Sequence, residues 1–405
     1  MPATKKSVLV SGCGIAGPTL AYWLVRHGYA PTIVERAPKF REGGYIVDFW
    51  GVGFDVAEKM GLIPKLREAG YVNDNIVFVR RDGRVRSSFG GAPMRRALGD
   101  RFLSIRRGDL ARIVYDCVRD EVETSFDDEV TALVQLADRT LVTFRSGKIG
   151  EYDLVIGAGG LHSGVRNLAF ASGARAERYL GYYAAVFIAD GYSKRDEHTY
   201  LSFAAPGRQA SRFTLRDGRT GFLFVFAQED RLPDGMREFA AQKALLVRTF
   251  ARDGWVEWPE IEAHLLAAKE IYFDAVSQIE LPSWWSGRVA LVGDAAYCPS
   301  LLAGEGSAFA MAGAYILAGE LGRADGDYRA AFERYEKAFR PFIERKQKSA
   351  RAFAGNFTPA TSLGLAIRDV VLHLTAIPAV ADYLMRRFVS DHFTLPDYGD
   401  VAVSA

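Results

Sequence analysis

Three glycines and one acid have the clearest capacity for chemistry in this chain. Gly12, Gly14 and Gly17 stand in the run Val8-Leu9-Val10-Ser11-Gly12-Cys13-Gly14-Ile15-Ala16-Gly17-Pro18, and Glu35 follows 18 residues beyond Gly17, after Thr32-Ile33-Val34. Strand, Gly-x-Gly-x-x-Gly, helix, second strand, acid is the layout that holds the pyrophosphate and ribose of a dinucleotide. Gly12 permits the tight turn, Gly14 lets a pyrophosphate approach the backbone, and Gly17 lets the helix lie close to the strand. The helix start offers free N–H groups and the positive end of its dipole to phosphates. A carboxylate at Glu35 accepts from ribose hydroxyls. The ribose is then unphosphorylated, which points to FAD or NAD rather than NADP. A glycine-rich turn without a ligand is the plainer reading of the glycines alone; the strand, the helix and the acid argue against it.

Similar chemistry returns further along. Asp153-Leu154-Val155-Ile156 breaks into Gly157-Ala158-Gly159-Gly160 about 150 residues after the first turn, and His162-Ser163-Gly164-Val165-Arg166 then opens a helix. Both ends are expected to face one cofactor. Arg288 to Pro299 is again strand then turn, through Gly293-Asp294-Ala295-Ala296, and Gly304-Glu305-Gly306 precedes a small-residue helix over 307–321. Phe222, Phe224 and Phe226 alternate on one strand face. With Phe203 and Arg208 they suggest the floor of a substrate pocket, where Arg208 holds an acidic or enolate oxygen. Ordinary core packing and a turn arginine beside Pro206-Gly207 are the plainer readings of those residues. His27, His162, His198, His264, His373 and His392 are isolated, and Cys13, Cys117 and Cys298 lack pairing or metal-ligand spacing. No triad, metal site or catalytic base is assigned.

The elements that must position these groups follow from periodicity. Residues 36–54 read as a long glycine-rich loop, and 54–69 as two short helices. Hairpins are expected around Asp82-Gly83 and between 130–136 and 140–145. A β-rich, aromatic stretch covers 182–228, then helices near 236–251 and 260–268, and a strand over 271–278. Long helices are expected over 328–348 and 361–388, the second with an apolar face of Leu365, Ile367, Val371, Leu372 and Leu374. The tail Leu395-Pro396-Asp397-Tyr398 reads as loose. With 405 residues, 49% of them hydrophobic, two domains are expected. A net charge of +2 makes no case for nucleic acid or an anionic membrane, and no run is long and apolar enough to span a bilayer. Scattered cysteines and an N-terminus without an apolar signal core fit the cytoplasm.

Three dispersed stretches together resemble one family. Gly12-x-Gly14-x-x-Gly17 with Glu35-Arg36, Asp153 to Gly157, and Gly293-Asp294-Ala295-Ala296 with Pro299 are similar in order and spacing to the class A, single-component flavin monooxygenases built like para-hydroxybenzoate hydroxylase. The loop Gly43 to Asp48, the Pro206-Gly207-Arg208 turn and Asp253-Gly254-Trp255 resemble the branch of tetracycline-degrading monooxygenases and polyketide hydroxylases. The resemblance spans nearly the whole chain. It implies an α/β fold with a Rossmann-like, GR2-type FAD-binding domain (parallel sheet plus β-meander) over 1–74, 101–176 and 279–350. An inserted substrate-binding β-sheet domain would take 75–100 and 177–278, and a bridging helix with its tail 351–405.

The implied cofactor is FAD, with NADPH or NADH as co-substrate and O2. The implied act is hydroxylation of a small aromatic or polyketide-like molecule through a C4a-hydroperoxyflavin, by a monomer or homodimer. The glycine turn with Ala16 would hold the pyrophosphate, Asp294 the ribityl chain beside Pro299, Gly304 and Gly306 the ring, and Arg107 the ribityl–pyrophosphate region. Arg36 would flank the adenine, Asp48 would contact FAD, and Arg41 the NADPH or pyrophosphate. One departure stands out: relatives usually read Gly-Ala-Asp-Gly where this chain has Gly157-Ala158-Gly159-Gly160, so an acid tied to FAD and NADPH is missing. Tyr297 stands where many relatives carry His and cannot serve as a base at neutral pH. Gly159 motivates an alternative, a flavin-binding protein that shelters an intermediate without turnover. A different FAD reaction, halogenation or reduction, is the other alternative.

Overall fold

Val8, Leu9 and Val10 are consecutive and wholly buried, as a parallel strand covered on both faces requires. In the computed structural model they form β1 (Ser7–Ser11), followed by α1 (Ala16–Arg26) and β2 (Ala30–Glu35). Described are residues 5–40, 45–71, 75–91, 93, 96, 98–170, 176–194, 196–233, 238–375, 377, 379–381, 383 and 393–399, without the side chains of 353, 354 and 356. The expected loop after β2 contains a strand, β3 (Ile46–Trp50). Val47 and Phe49 alternate inward there, an apolar period of two hidden by the surrounding glycines. Then come α2 (Gly51–Lys59), α3 (Ile63–Ala69), β4 (Asn75–Val79), β5 (Val85–Gly90), β6 (Phe102–Arg106) and α4 (Arg107–Tyr115). Short strands β7 (Thr124–Phe126), β8 (Val130–Gln135), β9 (Thr140–Phe144) and β10 (Ile149–Tyr152) lead to β11 (Leu154–Gly157) and α5 (Gly164–Ala169).

The aromatic stretch forms β12 (Glu177–Ala189), β13 (Thr199–Ala205), β14 (Arg208–Thr214) and β15 (Thr220–Ala227). Helices α6 (Phe239–Phe250) and α7 (Trp258–Ala267) precede β16 (Tyr272–Ile279). The chain returns through β17 (Trp285–Ser286), β18 (Val289–Leu291) and the short α8 (Asp294–Tyr297) to α9 (Gly306–Arg323), α10 (Tyr328–Phe357) and α11 (Ser362–Leu374). Asp327 caps α10, accepting from the N–H groups of Arg329 and Ala330.

Two large sheets result. One runs β17-β18-β11-β1-β2-β7, with β1 parallel to both β2 and β11. The other runs β16-β12-β15-β14-β13-β4-β5 and is antiparallel except where β13 meets β4. A meander of β8, β9 and β10 and the β3–β6 pair complete the strands. Helix α9 is buried all round over 307–321, because alanines and glycines let α1, α2 and α10 approach it closely.

The tail is docked, not loose. Tyr315 Oη donates to Pro396 O at 3.0 Å, Tyr398 Oη donates to Glu320 Oε1 at 2.9 Å, and Phe393 packs on Phe339 and Phe342. Two tyrosines and a phenylalanine supply enough apolar surface to hold a short segment without secondary structure. Among the described residues no helix is long and apolar enough to cross a membrane.

Candidate cofactor and substrate cavity

One cavity of about 1640 Å³ runs from the β1–α1 turn to the second sheet. Pockets for one small ligand are usually about 300–1,000 Å³, so this space suits a dinucleotide plus a second molecule. At its first end lie Gly12, Gly14, Ala16, Glu35 and Arg36. Gly12 adopts φ 120°, which side-chain-bearing residues rarely reach, and a Cβ on Gly17 would sit 1.9 Å from Gly12 O. Gly17 itself stays behind the wall, as a packing glycine should. The Glu35 carboxylate accepts from Cys13 N–H at 2.8 Å and Ala37 N–H at 2.9 Å. Each oxygen keeps a second lone-pair direction, so the acid is oriented and still able to accept.

Asp294, Arg107, Gly304 and Gly306 line the middle of the cavity. Burial raises the Asp294 carboxyl above the usual carboxylate range, against the pull of Arg107 and Cys298. A raised, cavity-facing acid fits hydroxyl donors such as those of a ribityl chain. Tyr45 and Tyr272 meet at 5.3 Å between ring centres, and burial pushes the Tyr45 hydroxyl up to about 12. Ser300 lines the wall with φ 119°, a strained value for a residue with a side chain, and its Oγ accepts from Leu302 N–H at 3.2 Å. Asp48 also reaches the wall; Ser104 Oγ donates to its Oδ1 at 2.5 Å, and burial raises its carboxyl.

The other predicted residues scatter. Pro299 is buried but outside the cavity wall, its carbonyl accepting from Gln278 Nε2 at 2.7 Å. Arg41 lies outside the described residues. Tyr297 is core, packed on Trp284 and Phe339. Gly159 lines the cavity, and a Cβ there would meet only Ser163, at 3.5 Å and beyond. His162 is not isolated: its Nε2 lies 3.0 Å from Asp274 Oδ2, and that bond raises its ring above the ordinary histidine value. The two are 112 residues apart. Arg166 donates to Ala295 O and Leu161 O, tying the second and third glycine-bearing loops together.

The expected substrate floor faces the wrong way. Phe222, Phe224 and Phe226 point away from the cavity and pack on Phe187, Phe250 and Trp258 beneath α6 and α7. Phe203 stacks on Trp255 on that same side. Arg208 pairs with the carboxylate of buried Asp253, and its neighbour Arg212 with Glu257. Successive side chains on a strand point to opposite faces, so the cavity receives the alternate set. That set is Tyr200, Ser202, Gln209, Ser211, Phe213 and Leu223, joined by Ile76, Phe78 and Phe89 from β4 and β5 and by Ile367, Arg368, Val371 and Leu372 from α11. Local sequence offers little sign of this: Ser202 is a polar residue between apolar neighbours, but Gln209 and Ser211 each lie between Ala210 and an arginine, so neither face of β14 stands out. The α11 apolar face divides accordingly, with Leu365 buried and Ile367, Val371 and Leu374 about half exposed.

Comparison with known proteins agrees with this geometry. Residues 5–346 match the FAD binding domain family model. A flavin-dependent monooxygenase of Legionella longbeachae is 34% identical over 395 residues, covering 96% of this chain and 98% of its own length. Another flavin-dependent monooxygenase, from an unknown prokaryotic organism, is 37% identical over 347 residues, covering 86% of this chain and 89% of its own. The crystal structure of tetracycline destructase Tet(51) superposes with a TM-score of 0.81 at 32% identity, covering 98% of this chain and all (100%) of that one.

Proposed function

From the premise that this chain belongs to the FAD binding domain family and is a flavin-dependent monooxygenase, we propose that it uses NAD(P)H and O2 to hydroxylate an aromatic or polyketide-like small molecule. The observation that carries the reading is the continuity of the cavity. Glycine turn, acids and arginine at one end share a single space with a sheet face at the other that mixes aromatic and aliphatic residues with Ser202, Gln209 and Ser211.

Bound FAD would supply electron transfer and oxygen activation. The chain's own residues bind, orient and exclude water. The Gly12–Gly14 backbone and the start of α1 would meet the pyrophosphate, Glu35 the ribose and Asp294 the ribityl hydroxyls. The free N–H groups at the start of α9, beside Gly304 and Gly306, would favour negative charge on a ring bound there. Phe78, Phe89, Phe213 and Leu223 form a dry wall for a flat apolar molecule. In this reading the discontinuous first sheet with its helices is the cofactor part and the second sheet the substrate part. Gly159 removes one acid that relatives use for the nicotinamide partner, and His162, held by Asp274, lines the same wall.

The test uses the purified flavoprotein. Phenols, naphthoquinones, anthracyclines and, on the strength of the likeness to Tet(51), tetracyclines are screened for stimulated NADH and NADPH oxidation. Products are weighed for one oxygen drawn from isotopically labelled O2. A yellow protein that no compound in the panel stimulates would return the reading to the non-turnover alternative.

A further inference from the structure

The sheet end of the cavity carries a cation that forms no ion pair with an acid among the described residues. Arg368 of α11 lines it, its guanidinium carbon 4.0 Å from the centre of the Phe78 ring. Its Nη1 donates to Gln209 Oε1 at 3.2 Å and to Phe357 O at 3.3 Å. Its Nε is buried without a partner, and no acceptor among the described residues meets Nη2. The adjacent acid is committed elsewhere: Asp369 pairs with Arg86 and accepts from Ser87 Oγ at 3.0 Å. Gln209 Nε2 donates in turn to Ser211 Oγ at 3.2 Å, and the Ser211 and Ser202 hydroxyls are 2.8 Å apart. Burial pulls the Arg368 guanidinium down to about 10, which leaves it a cation at neutral pH.

A half-buried cation without a counter-charge is costly, and the cost falls when a ligand brings the anion. Ring stacking and the Gln209 bond fix the guanidinium plane, so little side-chain freedom is lost when an oxygen docks. The remaining walls are aromatic and aliphatic. We propose that Arg368, steadied by Gln209 and Phe78, is the oxyanion-recognising residue of this cavity, and that its substrate is a flat aromatic or polyketide-like molecule carrying an enolate, phenolate or carboxylate on the edge facing α11. This rests on the substrate class argued above and narrows it. It also gives Arg368 the role that Arg208, locked to Asp253, cannot take.

The test is binding by calorimetry to the flavin-loaded protein, using two matched pairs. Lawsone, an enolate at neutral pH, is compared with its methyl ether, and naphthoate with naphthamide; the two arms separate enolate from carboxylate as the anion. Wild type is expected to prefer at least one anion over its neutral partner by about 10- to 100-fold. Arg368→Gln should flatten that ratio to about twofold or less, and Arg368→Lys should keep part of it. Gln209→Glu should flatten it too, because the new carboxylate neutralises Arg368 in place. No preference in wild type, or a preference unchanged in Arg368→Gln, overturns the assignment. Equal losses for anion and neutral partner would leave Arg368 only pinning α11 to the sheet. Binding is read without turnover, so a protein that binds lawsone through Arg368 yet inserts no oxygen loses the hydroxylase reading and keeps this one.

Discussion

Gly14 and Gly17, three residues apart where β1 passes into α1, should fail in different ways. In the flavin-free fold a Cβ on Gly14 meets nothing closer than Arg107 Nη2, at 3.8 Å, which is ordinary contact. A Cβ on Gly17 would lie 1.9 Å from Gly12 O, 3.1 Å from Gly12 C and 3.4 Å from Val10 Cγ1. Normal carbon–oxygen contact is more than an ångström longer, so α1 would have to retreat from β1 by about that much. Overpacking of this kind costs about 1–3 kcal/mol, more than the ~1 kcal/mol that alanine gains over glycine inside a helix. Gly17→Ala should therefore lower the melting temperature of flavin-free protein and weaken FAD binding. Gly14→Ala should leave the flavin-free melting temperature unchanged or slightly higher. Its methyl group instead occupies space a pyrophosphate needs, so FAD affinity should fall by about 2–3 kcal/mol, roughly 30- to 150-fold. Differential scanning fluorimetry on the flavin-free protein and flavin fluorescence titration separate the two effects. Wild-type FAD affinity in Gly14→Ala would refute the reasoning, because the turn would then not be the pyrophosphate cradle.

Other expectations concern single features. Burial raises Asp48 above the ordinary carboxylate value, with Ser104 pulling it back, so the unfolded chain ionises first as pH rises. Flavin-free Asp48→Asn should match wild type in stability below about pH 4 and exceed it increasingly as pH climbs above that ordinary value; an advantage that is largest in acid would contradict the sign. Phe224→Ala should cost about 3–5 kcal/mol in denaturant melts, since Phe224 is wholly buried beneath α6 and α7. Enlarging its neighbour on the cavity face, Leu223→Phe, should chiefly raise substrate KM. A Cβ on Gly319 would come 2.3 Å from the Tyr398 ring, so Gly319→Ala should release the tail, visible as faster C-terminal proteolysis and a melting temperature lower by several degrees. Gly159→Asp should fold, given the space beside Ser163, and should speed flavin reduction at low NADPH; equal rates would show that this acid's absence has no bearing on nicotinamide use.

Legibility in the sequence followed the range of the interactions. The β1–α1–β2 unit could be read because its signals are local. Buried strand residues run consecutively, glycines sit where the backbone must turn or be approached, and the acid ends the next strand. The third loop, with Asp294, and the glycines before α9 were legible for the same reason. Strand β3 was not, because its two inward residues are a weak period inside a glycine-rich run.

The sequence by itself determined the glycine turns and strand-end acids that the structure gathers along one cavity, and with them membership of the FAD binding domain family, since each depends on contacts within a few tens of residues. Only the tertiary structure decided which face of the second sheet meets the cavity. Both faces of β15 are covered, Phe222, Phe224 and Phe226 under helices and Val225 with partly buried Leu223 on the other side, so composition carries no sign for direction. Packing of α6 and α7 on one face left the other to Gln209, Ser211 and α11. Likewise the pairing of His162 with Asp274, the docking of Tyr398 on α9, and the turning of Asp369 to Arg86 and Ser87 rather than to Arg368 are facts of three-dimensional neighbourhood. They join segments whose separation along the chain leaves no trace in periodicity or spacing.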